Sequence, residues 1–94
     1  MTLDGICTHL ALATPEGGPD AEAQLRRFRR VLGALDAEGL LPRWRHAYAS
    51  GSVLSALPHE LNLVRPGVAI YGIDPHDADG SDLRPALSWR TQIV

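Results

Sequence analysis

The sequence predicts an α/β fold built on a small parallel sheet, and three observations predict it. Short, largely apolar runs recur at residues 6–10, 44–49 and 61–65, one long stretch between the first two carries a helical period, and Gly, Pro and Asp clusters punctuate each change. Strands separated by helices imply right-handed crossovers and parallel pairing. With 94 residues, the chain holds at most one small domain or a piece of a larger one. A domain of that size buries a thin core.

The first run follows Gly5 and is expected to extend from Ile6 to Leu10 and on toward Ala13. Pro15, Gly17, Gly18 and Pro19 make residues 14–20 a loop, and Asp20 is placed to cap the helix that follows. Leu25, Phe28, Val31, Leu32 and Leu35 then fall on one face of a 3.6-residue period, with Glu22, Arg26, Arg29 and Arg30 elsewhere and Gly39 as the stop. After Pro42, residues 44–49 form the second strand, and Ser50-Gly51-Ser52 opens a helical turn through Leu57 that Pro58 halts. Residues 61–65 form a third extended run, broken by Pro66-Gly67 before the apolar stretch Val68–Tyr71. Asp74, Pro75, Asp77, Asp79, Gly80 and Asp82 read as a linker, and residues 87–94 resume β character.

Composition excludes several functions. Nine arginines and no lysine face eleven carboxylates for a net charge of −2, without the basic bias of a phosphate-backbone binder, so nucleic acid is not an expected partner. Chemistry that needs a lysine amine cannot be completed within this chain. The single cysteine, Cys7, cannot form an internal disulfide. No run approaches the roughly 18 apolar residues of a membrane span, and the start does not resemble a signal peptide, so the expectation is a cytoplasmic protein without a membrane partner. His9, His46, His59 and His76 lack zinc-site spacing, and the Asp-rich tail does not match a calcium loop, so no metal is expected.

Three places could carry chemistry. His9 lies near the end of the first strand, where parallel α/β folds gather functional groups. His46 and Ser50 bracket the end of the second strand, and Ser50-Gly51-Ser52 could offer hydroxyl and backbone N–H donors to a phosphate. Arg65-Pro66-Gly67 follows the third strand, where the guanidinium could hold an anion or a ring acceptor and Gly67 would let a ligand approach the backbone. Each also has a structural reading, as a core histidine, a capping serine and a simple turn.

Taken together and in order, these segments resemble a known pattern. Gly5-Ile6-Cys7-Thr8-His9-Leu10-Ala11, a helix with Gln24 and Phe28, His46-Ala47-Tyr48-Ala49-Ser50, and Val64-Arg65-Pro66-Gly67-Val68-Ala69-Ile70-Tyr71-Gly72 are similar to alanine racemase, a fold-type III pyridoxal-phosphate enzyme. Residues 83–91, Leu-Arg-Pro-Ala-Leu-Ser-Trp-Arg-Thr, look like that family's passage into its second domain. The resemblance implies the last three βα units of a (β/α)8 barrel in residues 1–73, a linker in 74–86, and the first strand of an all-β domain in 87–94. Three such units cannot close a barrel, so open sheet edges are expected.

The same resemblance implies pyridoxal 5'-phosphate as cofactor, alanine as substrate and a homodimeric full-length enzyme. His9 would lie beside the cofactor ring, Ser50 would bond its phosphate, and Gly67 and Val68 would add backbone N–H groups there. Arg65 would donate to the pyridine nitrogen, with His46 holding Arg65. A permanently charged guanidinium discourages protonation of that nitrogen and so makes the ring a weaker electron sink. The sequence departs from the family pattern at Ala49, where Asn is usual, and at Tyr48, where a small residue is usual. The family's cofactor-linking lysine and its two proton-transfer groups have no counterpart here, so no catalytic residue is expected in this chain, which reads as an internal, inactive fragment. A fold-type III racemase of another amino acid and a non-catalytic segment that binds a phosphate-bearing ligand are the alternatives.

Overall fold

The computed structural model describes residues 2–11, 18–58, 60–76 and 82–93. Three strands, β1 (Gly5–Cys7), β2 (Trp44–Ala49) and β3 (Leu63–Arg65), form a parallel sheet in the order β1-β2-β3. Helix α1 (Gly18–Ala37) connects β1 to β2, and the short α2 (Ser50–Val53) follows β2. The α/β class and parallel pairing expected from the alternation are therefore present.

Helix α1 ends where Gly39 requires it to. Gly39 has φ +66, its N–H donates to Asp36 O at 2.9 Å, and the N–H of Leu40 donates to Leu35 O at 2.8 Å. This pair of bonds is a Schellman stop, which satisfies carbonyls that the last turn leaves open. The start differs from expectation. The helix begins at Gly18, so Asp20 lies within the first turn and is not its cap, although its carboxylate still faces the positive end of the dipole. Pro19 explains the earlier start, because its fixed φ suits a first helical turn. The expected loop residues 14–17 lie outside the described residues.

The second strand spans the expected residues 44–49, whereas β1 and β3 are shorter than their apolar runs suggested, and beside each of these a side-chain amide takes over the pairing. Beyond β1, Thr8 makes one more ladder bond, to His46 O at 3.1 Å, and Ala11 pairs through both its backbone groups with the Gln24 amide. Before β3, Asn62 accepts from Arg45 N at 2.8 Å and donates to Arg43 O at 2.7 Å. Val68–Tyr71 is a 3-10 helix ending at Gly72, φ +77, and α2 stops at Val53 instead of running to Leu57. Ser55 causes that early stop by bonding Ser52 O and receiving Leu57 N, a local alternative to helix bonding.

Leu10, Ala21, Leu25, Ala47, Tyr48 and Leu57 form the core, with Val53 and Leu61 packed against it. From α1 it takes the N-terminal part of the predicted apolar face, while Val31 stays about half exposed beside β1. Ala47 and Tyr48 are consecutive and both fully buried, as a strand of a parallel sheet allows where both its faces are covered. The register is irregular here, since His46 pairs with Leu63 but Ala49 with Arg65, giving β2 an extra residue. The Tyr48 hydroxyl donates to Pro58 O at 2.5 Å, so the large residue at this position is accommodated with its polar end satisfied.

The first strand of an all-β domain expected over 87–94 is not formed by residues 87–93, which are exposed throughout. A strand needs a neighbour for its N–H and C=O groups, and no described strand lies beside this segment. Residues 84–86 instead lie along the 3-10 helix. Ala86 N donates to Tyr71 O at 3.0 Å, and a Cβ on Gly72 would fall 1.8 Å from Arg84 O.

Two outcomes follow. Leu25→Ala should lower the unfolding free energy by about 2–5 kcal/mol in a urea titration, because the cavity lies in a core too small to collapse around it. The sheet edges at β1 and β3 and the exposed Val64, Val68 and Ile70 should drive association. Sedimentation should then show a mass that rises with concentration above the 10.2 kDa of one chain.

Candidate functional site

The ends of the three parallel strands place their following residues at one end of the sheet, because parallel strands all finish on the same side. Arg65, the last residue of β3, reaches across all of them. Its Nη1 donates to His46 Nδ1 at 2.5 Å, and its Nη2 donates to Thr8 O at 3.2 Å and to His9 Nδ1 at 3.3 Å. A guanidinium has no acceptor atom, so both histidines must present an unprotonated Nδ1 and carry their proton on Nε2. The sequence-derived candidates His9, His46 and Arg65 thus form one cluster.

His46 titrates below the ordinary histidine value of 6.5, first because burial disfavours the imidazolium and second because the Arg65 cation repels it. A proton on Nδ1 would also occupy the lone pair that receives Arg65. The geometry and the electrostatics agree that His46 is neutral.

The second cluster forms around Ser50. Ala49, not Ser50, precedes the first helical residue of α2, and Ser52 bonds back to Ala49 N at 2.8 Å. Ser50 is therefore not the helix cap that the structural reading made it. Its hydroxyl oxygen instead receives Gly67 N at 2.7 Å and Ala69 N at 3.3 Å. Two backbone donors converge on one oxygen, an arrangement that also suits an anion. The second amide belongs to Ala69, whereas the resemblance pointed to Val68, the first residue of the 3-10 helix.

Several contacts were not anticipated. The Thr8 carbonyl anchors Arg65, and Gln24 and Asn62 secure chain segments beside the strands. His76 Nε2 lies 2.8 Å from Gly51 O, which pins the segment after Gly72 onto α2. The signal for Gln24 and Asn62 was a carboxamide beside a strand end, able to imitate a backbone pair. His76 had no local signal, since its partner is 25 residues away. Among the described residues no group of three His, Cys, Asp or Glu could hold a metal, and no helix is long and apolar enough to cross a membrane. His59 lies outside the described residues.

A parallel α/β sheet with basic, hydroxyl and backbone donors gathered at its strand ends defines an α/β domain whose polar groups converge at the carboxyl ends of its strands. Residues 1–75 match the alanine racemase N-terminal domain family, and the chain belongs to it. It is 39% identical over 94 residues to an alanine racemase of Sorangium cellulosum, covering 100% of this chain and 25% of that protein. An alanine racemase of Thermobifida fusca is 37% identical over 95 residues, again covering 100% of this chain and 25% of the relative. The solved structure of the alanine racemase from Streptomyces coelicolor A3(2) matches with a TM-score of 0.71 and 38% identity, over 79% of this chain and 19% of that one. The chain spans about a quarter of the length of these curated relatives.

The lowered His46 value has a measurable consequence. Its imidazole should titrate below 6.5 in an NMR pH series, and Arg65→Ala should move the midpoint upward by removing the repelling cation. Because the folded value lies below the unfolded one, the native state binds fewer protons. This contribution to stability is complete above about pH 6.5 and is lost as pH falls from there through the folded value.

Proposed function

We propose that this chain supplies cofactor-holding strand ends of an alanine racemase. That activity is the pyridoxal 5'-phosphate-dependent interconversion of L- and D-alanine, supplying D-alanine for cell-wall peptidoglycan in the cytoplasm. The observation that carries the proposal is the pairing of two donor clusters at one end of the sheet. The Ser50 oxygen collects two amides at 2.7 and 3.3 Å, and the Arg65 guanidinium is held by three acceptors. A cofactor with a phosphate at one end and a ring nitrogen at the other needs those two kinds of donor.

The donor set fits the group. A Cβ on Gly67 would lie in ordinary contact, 3.8 Å from the Ser50 oxygen, so the space beside that hydroxyl is left open at the glycine for a phosphate to approach the backbone. Ser50 and the amides of Gly67 and Val68 would hold the phosphate. Arg65 uses three of its five N–H groups within the described residues, which leaves donors for the pyridine nitrogen. His46 would keep Arg65 aimed, and His9 would stand beside the ring. When bound, the cofactor supplies the electron sink for removal of the alanine α-proton.

The three βα units are, in this proposal, the last of the barrel, with 74–86 a linker toward a C-terminal β domain and a homodimer as the complete enzyme. None of the nine basic residues is a lysine, so this chain binds and orients but has no side chain to link the cofactor. The chain alone should leave L-alanine α-proton exchange in deuterated water at the rate of free pyridoxal 5'-phosphate. Exchange well above that control, abolished by Arg65→Ala, would refute the inactive assignment. Titration with the cofactor should shift the amide resonances of Ser50, Gly67 and Ala69, and Arg65→Ala should weaken binding at least about tenfold, as expected for a hydrogen bond to a charged donor. Unchanged amide resonances would remove the cofactor site.

A further inference from the structure

His9 is exposed, yet the residues around it are each tied down. Thr8 donates its N–H to His46 O at 3.1 Å and accepts Arg65 Nη2 on its carbonyl at 3.2 Å. Leu10 is 6% exposed, buried among Ala21 and Leu25 of α1. Ala11 donates its N–H to Gln24 Oε1 and accepts Gln24 Nε2 on its carbonyl, both at 3.0 Å. Gln24 Nε2 also reaches Asp20 O at 3.3 Å, so three backbone partners surround the amide and hold it in one orientation.

We infer that Gln24 is a positioning residue for His9: its carboxamide acts as a surrogate strand for Ala11 and so keeps the His9 ring facing Arg65. The need arises because β1 ends at Cys7 and the last ladder bond is that of Thr8, so among the described residues no ladder secures residues 9–11. A primary carboxamide offers one acceptor and two donors at the spacing of a backbone pair, and glutamine is long enough to present them from α1. With Ala11 fixed on one side and Thr8 on the other, the backbone of His9 has little freedom left. Its Nδ1 stays at 3.3 Å from Arg65 and its proton is confined to Nε2. The use of that order, a preset imidazole beside the cofactor ring, rests on the proposed function. The order itself does not require the cofactor.

Ring nitrogen resonances of His9 and His46, read together with Ala11 amide exchange, test this on the whole chain without cofactor. Wild type should show His9 as one tautomer, protonated on Nε2. Gln24→Ala should speed Ala11 exchange about tenfold, the scale of one lost hydrogen bond. It should also move both His9 ring nitrogens toward a mixture of tautomers while His46 stays unchanged. Gln24→Glu keeps an acceptor for the Ala11 N–H but cannot donate to its carbonyl, so its shifts should be intermediate. Should Gln24→Ala fail to fold, Gln24→Glu is read by the same criteria. An unchanged His9 pattern alongside accelerated Ala11 exchange would overturn the inference, and so would equal shifts at His9 and His46, which would reveal a general loosening. Adding pyridoxal 5'-phosphate to the same samples separates the two ideas. Missing shifts at Gly67 would defeat the cofactor proposal while leaving the hold of Gln24 on His9 intact.

Discussion

The Arg65 guanidinium is the constraint on which the rest of the arrangement depends. It stands at the end of β3 and takes acceptors from the β1 side, at Thr8 and His9, and from β2, at His46. A cation so placed must be met by lone pairs, and it forces both histidines into the same tautomer. Lysine could not reproduce this, since the contacts use a planar fork and a delocalised charge. Parallel pairing and site geometry are therefore linked, because strands that finish on one side bring these three acceptors within reach of one guanidinium.

Around this cluster the chain economises on ladder. Two of its three strands have three residues each, and carboxamides and hydroxyls complete what the backbone leaves open. Gln24 closes onto Ala11, Asn62 onto Arg43 and Arg45, and Ser50 onto Gly67 and Ala69. Such bonds contribute modestly to stability, about 0.5–1.5 kcal/mol each, but they position the chain with definite geometry. The apolar core is small, and both outer strands present an open edge. Relatives about four times as long share this segment.

The α/β class, the parallel pairing, the long helix and its stop at Gly39 were legible in the sequence because they rest on local physics. Apolar periodicity, proline and a glycine free to take a positive φ act within a few residues of themselves. Strand lengths were less legible, since apolar runs at 6–10 and 61–65 signal burial without showing which backbone groups find a ladder partner. The β character of 87–94 is the clearest case. Its composition suits a strand, and residues 87–93 are exposed with no strand beside them among the described residues.

The candidate residues His9, His46, Ser50, Arg65 and Gly67 were each named by the sequence, through strand-end position and through resemblance to a family pattern. Their residue types set what they can donate or accept. Only the tertiary structure decided the partners. Arg65 meets His9 across 56 residues of chain, and Ser50 meets the amides of Gly67 and Ala69 across 17 and 19. Spacing along a sequence has no knowledge of crossovers and registers, and those bring strand ends side by side. The extra residue that β2 carries against β3 is likewise a product of their pairing, and no property of either strand alone predicts it.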